Sequence, residues 1–287
     1  MSTKADEHLK LRREAKNTVF IDLFHIPKYR YELFKVLHPE MTDVSEADIV
    51  EITLNPIILN HPYNDLGILV RDKLIIFVEA QSTWSVNILV RILLYLAMTY
   101  QEYINEHDLN VYSSSKMKLP IPEFYVIYTG DHDPKKDTIS LKEDFFCSDT
   151  GNIDLSAKVI YTENKDDIIG QYIIFSHILD AQVKLYGRTK KAVEETIRIC
   201  KDKGVLIEYL TTREKEVISM TMTLFDQNKA VELYAKEREI RGIVETCQEF
   251  GTPIKDIISH LSKRFGITPD ESADQVKTYW KGQLPDL

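Results

Sequence analysis

Two carboxylates lie at the outer ends of two neighbouring apolar segments. Asp65 comes directly before the run LGILV, and Glu79 directly follows the run LIIFV. If the turn between the runs consists of residues 71–73, the segments form a hairpin in which the two acids lie opposite each other on one face. Carboxylates so placed repel each other, and a divalent cation between them would remove the conflict. The pair therefore predicts a site for Mg²⁺ or Mn²⁺, hard cations that prefer oxygen ligands.

Two further groups can complete this site. Gln81 shares the face of Glu79, and the backbone carbonyl of Ala80 is our candidate for a further oxygen ligand of the metal. A metal there would lower the pKa of a bound water and stabilise negative charge on a phosphate under attack. A two-residue turn would instead place Asp65 and Glu79 on opposite faces, so the prediction depends on the register of the hairpin.

The segment after the hairpin changes to a helical period. Asn87, Arg91 and Tyr95 are four residues apart, so they lie on one face of a helix near the mouth of the hairpin. This polar stripe suits contact with a phosphate, and Arg91 is our candidate for a positive charge in the site. The alternative is that Arg91 pairs with a structural carboxylate.

The elements that must position these residues predict a mixed α/β core. Pro27 can open a helix that ends at His38, before Pro39. The hairpin strands are apolar on both faces, which is typical of a sheet covered on both sides. The predicted order is helix, three strands, helix and strand, followed by a short strand; the strands are about 51–59, 65–70, 74–81, 124–128 and 158–161, and the second helix is about 83–104.

Beyond Lys165 the pattern is helical throughout. Candidate capping boxes begin at Thr211 and at Thr268, each with a glutamate three residues later. We therefore predict a core over residues 1–165, a helical extension packed on it over 166–228, and a charged helix with a C-terminal helical hairpin over 229–287. Self-association through the C-terminal helices is one role for this region.

The run from Asn17 to about Ile104 resembles the recombination-promoting nuclease and putative transposase group of PD-(D/E)XK enzymes. The stretches that carry the likeness are NTVFIDLF, YNDLGILVRDKLIIFVEAQSTWSVNILVRILLYLAMTYQEYI and PEFYVIYTG. The resemblance implies a restriction-endonuclease-like core, with a mixed central sheet flanked by helices and an all-α C-terminal region. It also implies an Mg²⁺-dependent endonuclease that acts on DNA, in recombination or mobile-element biology.

By this resemblance Asp65 and Glu79 are metal ligands. The third signature position is usually lysine and here is Gln81, which can orient a water but cannot offset negative charge. Glu32 lies in the region of the first helix, where the superfamily often has an additional acid. A different reading is a catalytically weak or inactive nuclease-fold protein that acts in DNA binding, regulation or assembly.

Composition is that of an ordinary globular protein, with 44% hydrophobic residues, and the three cysteines have no metal-binding spacing. No apolar run approaches the roughly 20 residues that cross a bilayer, and no signal segment is seen, so we expect a cytoplasmic protein with no membrane partner. The net charge of −9 is unusual for a DNA-binding protein. Local basic surface is present in the arm with Lys4, Lys10, Arg12, Arg13 and Lys16 and in the stretch with Lys184, Arg188, Lys190 and Lys191, although either can be a plain solvated face.

Overall fold

A mixed sheet forms the centre of the first part of the chain. This computed structural model describes residues 18–52, 65–78, 84–130, 136–148 and 150–282. The strands of the sheet are β1 (Ile49–Ile52), β2 (Leu66–Val70), β3 (Lys73–Val78), β4 (Ile121–Ile127), β5 (Thr138–Ser140) and β6 (Ser156–Ile160). Their spatial order is β1-β2-β3-β4-β6-β5. The predicted mixed α/β class is confirmed, and β5 is a strand that the sequence did not predict.

The direction of the strands changes at β3. The first three strands pair antiparallel, whereas β3, β4 and β6 run parallel and β5 returns antiparallel to β6. A parallel pair needs a crossover connection, and between β3 and β4 it contains helix α3 (Ile88–Glu106). The carboxyl ends of the parallel strands therefore share one edge of the sheet with the start of β2, which Asp65 precedes.

The register of the β2–β3 hairpin differs from the one predicted. Val70 pairs with Lys73 and Leu66 with Phe77, so the turn has two residues, Arg71 and Asp72. Arg71 has a φ of 55°, and a positive φ at the first central residue is what two-residue hairpin turns require. The predicted three-residue turn is wrong. One step further along the observed register, Asp65 lies opposite Val78, and the cross-strand argument for pairing Asp65 with Glu79 is lost.

Helices cover both faces of the sheet. On one face α1 (residues 18–25), α2 (Pro27–Leu37) and α4 (Ile168–Tyr186) bury the inward side chains of β2, which are Leu66, Ile68 and Val70. On the other face α3 packs against apolar side chains of β4 and β6. Because helices cover both faces of the sheet, the side chains on both faces of the hairpin are apolar.

The helices after the sheet are α4, α5 (Lys190–Asp202), α6 (Ile207–Thr212), α7 (Glu214–Glu249), α8 (Ile254–Phe265) and α9 (Pro269–Tyr279). The chain forms two compact units, with the boundary between Phe225 and Asp226. In the first unit α4, α5 and α6 share a core with β2. The second has its own core, formed by Ile240, Val244, Ile254, Ile257, Leu261 and Val276. No helix among the described residues is both long and apolar enough to cross a bilayer.

Of the two predicted capping boxes, one is present in the structure. Thr268 and Glu271 form a reciprocal capping box at the start of α9, as predicted. Thr211 instead lies inside α6, and α7 begins at Glu214, so the capping box predicted at Thr211 is wrong.

A cluster of side-chain hydrogen bonds connects α1 to α6 and to the residue before α7. The carboxylate of Asp22 accepts hydrogen bonds from the Tyr209 hydroxyl at 2.7 Å and from Arg213 at 2.7 and 2.9 Å. Burial, followed by the effect of Asp22, raises the pKa of Tyr209, so its hydroxyl remains a donor at neutral pH.

The loop before α4 passes very close to Gly170 in the first turn of that helix. A Cβ at Gly170 would overlap the backbone of Asn164, whereas a Cβ at Gly242, in the exposed part of α7, meets nothing within 4 Å. We predict that Gly170→Ala lowers the free energy of unfolding by about 2 kcal/mol through overpacking. Gly242→Ala should instead raise it by about 0.5–1 kcal/mol, because alanine is the better helix former. Urea denaturation followed by circular dichroism measures both, and equal effects would contradict this packing.

Candidate functional site

Asp65 is a buried carboxylate at the edge where the parallel strands end. Its side chain is only 2% exposed, and its Oδ2 accepts a hydrogen bond of 2.6 Å from Nη2 of Arg91. Arg91 lies in the first turn of α3 and is 32% exposed. A charge-assisted hydrogen bond of this length holds the carboxylate in place and offsets part of the cost of burying it.

Tyr95 joins the same cluster from the next turn of α3. Asp65 and Arg91 both act on the ionisation of its hydroxyl. Burial raises the pKa of Tyr95, and the nearby charge of Asp65 adds to the effect. The phenol therefore remains protonated at neutral pH.

The predicted polar stripe of α3 thus divides into two parts. Arg91 binds Asp65 and Tyr95 lies within its electrostatic influence, whereas Asn87, the N-cap residue of α3, has an exposed side chain at the start of the helix. The sequence allows two roles for Arg91: it can supply a positive charge to the site, or it can pair with a structural acid. The observed contact is compatible with both. The partner of Arg91 is Asp65 itself, and about a third of the Arg91 side chain still faces solvent.

Glu32 does not join this cluster. It lies on α2, which packs on the face of the sheet that Leu66 and Ile68 occupy. Burial raises the pKa of Glu32, and the charges that act on it are those of Lys28, Glu208 and Lys35. Glu79, Ala80 and Gln81 lie outside the described residues.

Of the predicted metal ligands, the described part of the chain contains only Asp65. Within it, no group of three or more His, Cys, Asp or Glu side chains is placed to hold a metal ion. Asp65 fits the need for a hard anionic oxygen ligand, and it is already held by Arg91. The other predicted ligands, Glu79 and the carbonyl of Ala80, lie outside the described residues.

Glu51 is a second acid on the sheet that the sequence analysis missed. It lies on β1, in ion pairs with His25 and with Arg30, whose side chain is 10% exposed. Arg30 also lies 3.4 and 3.3 Å from the carbonyls of Phe24 and His25, at the end of α1. These contacts join α1, α2 and the edge strand, so Glu51 has a structural role here.

A third charged cluster lies at the opposite edge of the sheet, where the parallel strands begin. Glu123 of β4 pairs with Lys73 of β3 and lies 2.8 Å from the buried ring of His38. The other ring nitrogen of His38 lies 2.9 Å from Glu40. Burial alone would raise the pKa of Glu123, but the hydrogen bond from Lys73 and the nearby His38 outweigh it and lower that pKa.

Of the three charged clusters among the described residues, only the first combines a buried carboxylate, a partly exposed guanidinium and a phenol at the edge where β3 and β4 end. Comparisons of the chain with protein-family models, with curated proteins and with solved structures found no match. The cluster of Asp65, Arg91 and Tyr95 is therefore the candidate site on the strength of its chemistry and position.

We predict that Arg91→Met lowers the free energy of unfolding by about 2 kcal/mol, because it removes the cation from a buried carboxylate. Arg198→Met is the matched control, since Arg198 pairs with Glu195 and Asp202 on an exposed helix face and should cost under about 1 kcal/mol. In the double variant with Asp65→Asn the two losses should not add. Urea denaturation measures this cycle, and strict additivity would refute a direct Asp65–Arg91 interaction.

The Glu123 cluster generates a pH prediction. Because the pKa of Glu123 is lowered on folding, its ionised form adds stability above the ordinary glutamate pKa of about 4.3, and that stability is lost as pH falls through the lower folded value. Glu123→Gln should therefore be less stable than the unsubstituted protein at pH 7, and the difference should shrink below about pH 4. Thermal denaturation across pH 3–7 checks this, and a difference that grows in acid would be inconsistent with it.

Proposed function

We propose that this protein is a metal-dependent endonuclease that hydrolyses DNA phosphodiester bonds. The observation that carries the proposal is the buried Asp65 carboxylate, fixed by Arg91 at the edge where β3 and β4 end. A buried acid in a polar constellation at one edge of a sheet is typical of a functional site. The sequence around Asp65 is also the part that resembles PD-(D/E)XK nucleases.

The arrangement of the sheet supports the same proposal. Three antiparallel strands lead into a crossover helix and a fourth strand parallel to the third, with helices on both faces. This order is compatible with a restriction-endonuclease-like core. Asp65 directly precedes β2 and lies opposite Val78, the last residue of β3, and the acid Glu79 follows Val78 in the sequence.

Asp65, Glu79 and the carbonyl of Ala80 are the groups that would hold Mg²⁺ or Mn²⁺. When bound, the metal would supply an activated water and neutralise charge on the phosphate. Gln81 can orient that water through its amide, but it brings no positive charge. Asp65 reaches the site already oriented, because Arg91 donates a hydrogen bond to it.

Arg91 is the group that can supply the charge normally provided by lysine at the position of Gln81. Without metal its guanidinium balances Asp65. A cation bound to Asp65 would take over that balance, and the exposed part of Arg91 could then pair with a phosphate oxygen. Asn87, exposed one turn earlier on α3, lies on the same side for a second contact to the DNA backbone.

A second candidate function is DNA binding or regulation by a nuclease-fold protein without appreciable turnover. The observation that favours it is the ion pair of Asp65 with Arg91, because a metal ion would have to displace Arg91 from the carboxylate. The net charge of −9 and the glutamine at position 81 point the same way. DNA binding that weakens steeply with salt, without cleavage under any divalent metal, would establish this reading.

Nicking of supercoiled plasmid DNA tests the endonuclease. We expect Mg²⁺-dependent nicking that EDTA abolishes and that falls to background in Asp65→Asn and in Glu79→Gln. Asp72→Asn is the matched control, because it removes the same charge from the exposed turn at the other end of the hairpin; it should nick at the normal rate.

Cleavage that survives purified Asp65→Asn, with the variant folded by circular dichroism, would overturn the role of this residue. Loss of cleavage in Asp72→Asn as well would show that the assay responds to charge in general rather than to the site.

A further inference from the structure

Helix α3 is apolar on the side that faces solvent as well as on the side that packs against the sheet. Ile92 and Thr99 lie on the inner side and are buried. On the opposite side, residues four and three apart lie in one line along the helix. They form the outer face of α3 and are Val90, Leu94, Ala97, Gln101 and Ile104. Leu94 is 41% exposed, and the line contains no charged residue.

The loop after α3 adds a groove and a projecting aromatic ring to this face. The groove has a volume of about 450 Å³ and lies between the outer face of α3 and residues 109–112 of the loop. None of the described residues that line it is charged, although 28% of the residues of the chain are. Tyr112 lines the groove and is itself 93% exposed, so its ring projects into solvent.

Hydrogen bonds hold the backbone of this loop in place. The N–H of Leu109 donates to the carbonyl of Ile104 at 2.9 Å, and the N–H of Ser113 donates to that of Asn110 at 3.1 Å. The side-chain oxygen of Asn110 accepts from the N–H of Tyr112 at 2.9 Å. The groove is therefore formed in the free protein, and a partner that fills it loses little affinity to ordering of the loop.

A surface that carries both a groove and a projecting ring can pair with a second copy of itself. In a two-fold dimer the same patch meets the same patch, so Tyr112 of each copy can enter the groove of the other. The partner must also be uncharged where it fills the groove, because a charge buried there would lose its hydration without a counter-ion. The exposed Leu233 and Tyr234 of α7 do not meet this condition, since they lie in a stretch dense in Lys, Arg and Glu.

We propose that the outer face of α3 and the adjoining loop form the contact surface of a homodimer, in which two α3 helices pack antiparallel across a two-fold axis. Ala97, near the middle of the face, lets the two helices approach closely. The face from Val90 to Ile104 is about 21 Å long. A patch of this size is smaller than the roughly 800 Å² per partner of a standard interface, so we expect a dimer of micromolar affinity.

This dimer does not depend on the proposed nuclease activity. It also differs from self-association through the C-terminal helices, which the sequence suggests, because α3 belongs to the first compact unit. An uncharged contact of this kind should persist at high salt, whereas a contact between charged helices should weaken.

Sedimentation velocity of the full chain over about 1–100 µM tests the surface, since this range spans the expected dissociation constant. The double variant Leu94→Glu/Tyr112→Glu should raise the dissociation constant at least about tenfold, because it places carboxylates in an apolar contact. The matched control is Leu233→Glu/Tyr234→Glu, which makes the same two changes on α7, where these side chains are 58% and 63% exposed. It should leave the dissociation constant unchanged.

Tyr112→Glu alone is the second variant. It lies in an exposed loop outside regular structure, so it should keep the circular dichroism of the unsubstituted protein and still weaken the dimer. Raising NaCl to about 1 M should leave the dimer of the unsubstituted protein intact.

A monomer over the whole concentration range would overturn the proposal and leave this face to a different protein. A dimer that the α7 control weakens as much as the α3 variants do, or that dissociates in about 1 M NaCl, would also overturn it, because the contact would then involve charged surface elsewhere.

Discussion

A carboxylate held almost entirely away from water requires a cation, and in this protein the Asp65–Arg91 pair meets that requirement. The pair constrains the structure on both sides of it. Helix α3 must begin soon after β3 so that its first turn carries Arg91 to the start of β2, and Tyr95 must follow one turn later. The crossover that α3 forms between β3 and β4 then fixes the parallel half of the sheet, whose strand ends define the candidate site.

Much of this arrangement is predictable from local sequence signals. The four-residue spacing of Arg91 and Tyr95 places both on one face of a helix, and the structure brings both to Asp65. Pro27 begins α2, and the Thr268 capping box begins α9. These features are predictable because each depends on residues within one or two turns of the chain.

The register of the hairpin was not predictable, and the reason is physical. When only one face of a strand is buried, a slip of one residue exposes its apolar side chains, so the pattern fixes the pairing. Here both faces of β2 and β3 are apolar and both faces of the sheet are covered, so a three-residue and a two-residue turn fit the sequence equally. Likewise the ion pair of Arg91 joins residues 26 positions apart, and no local pattern identifies Asp65 as its partner. The pairing of Glu51 with Arg30 was not predictable for the same reason, because the two residues are far apart in the sequence.

If Asp65 is a metal ligand, metal and guanidinium compete for one carboxylate, and Arg91 changes partner when the metal binds. The most direct measurement is a crystal structure of the protein soaked in Mn²⁺, with an anomalous difference map. The account predicts a peak about 2.1 Å from a carboxylate oxygen of Asp65, with Arg91 drawn away from its contact of 2.6 Å. An undisturbed Asp65–Arg91 pair with no anomalous peak beside it, at millimolar Mn²⁺, would contradict the account.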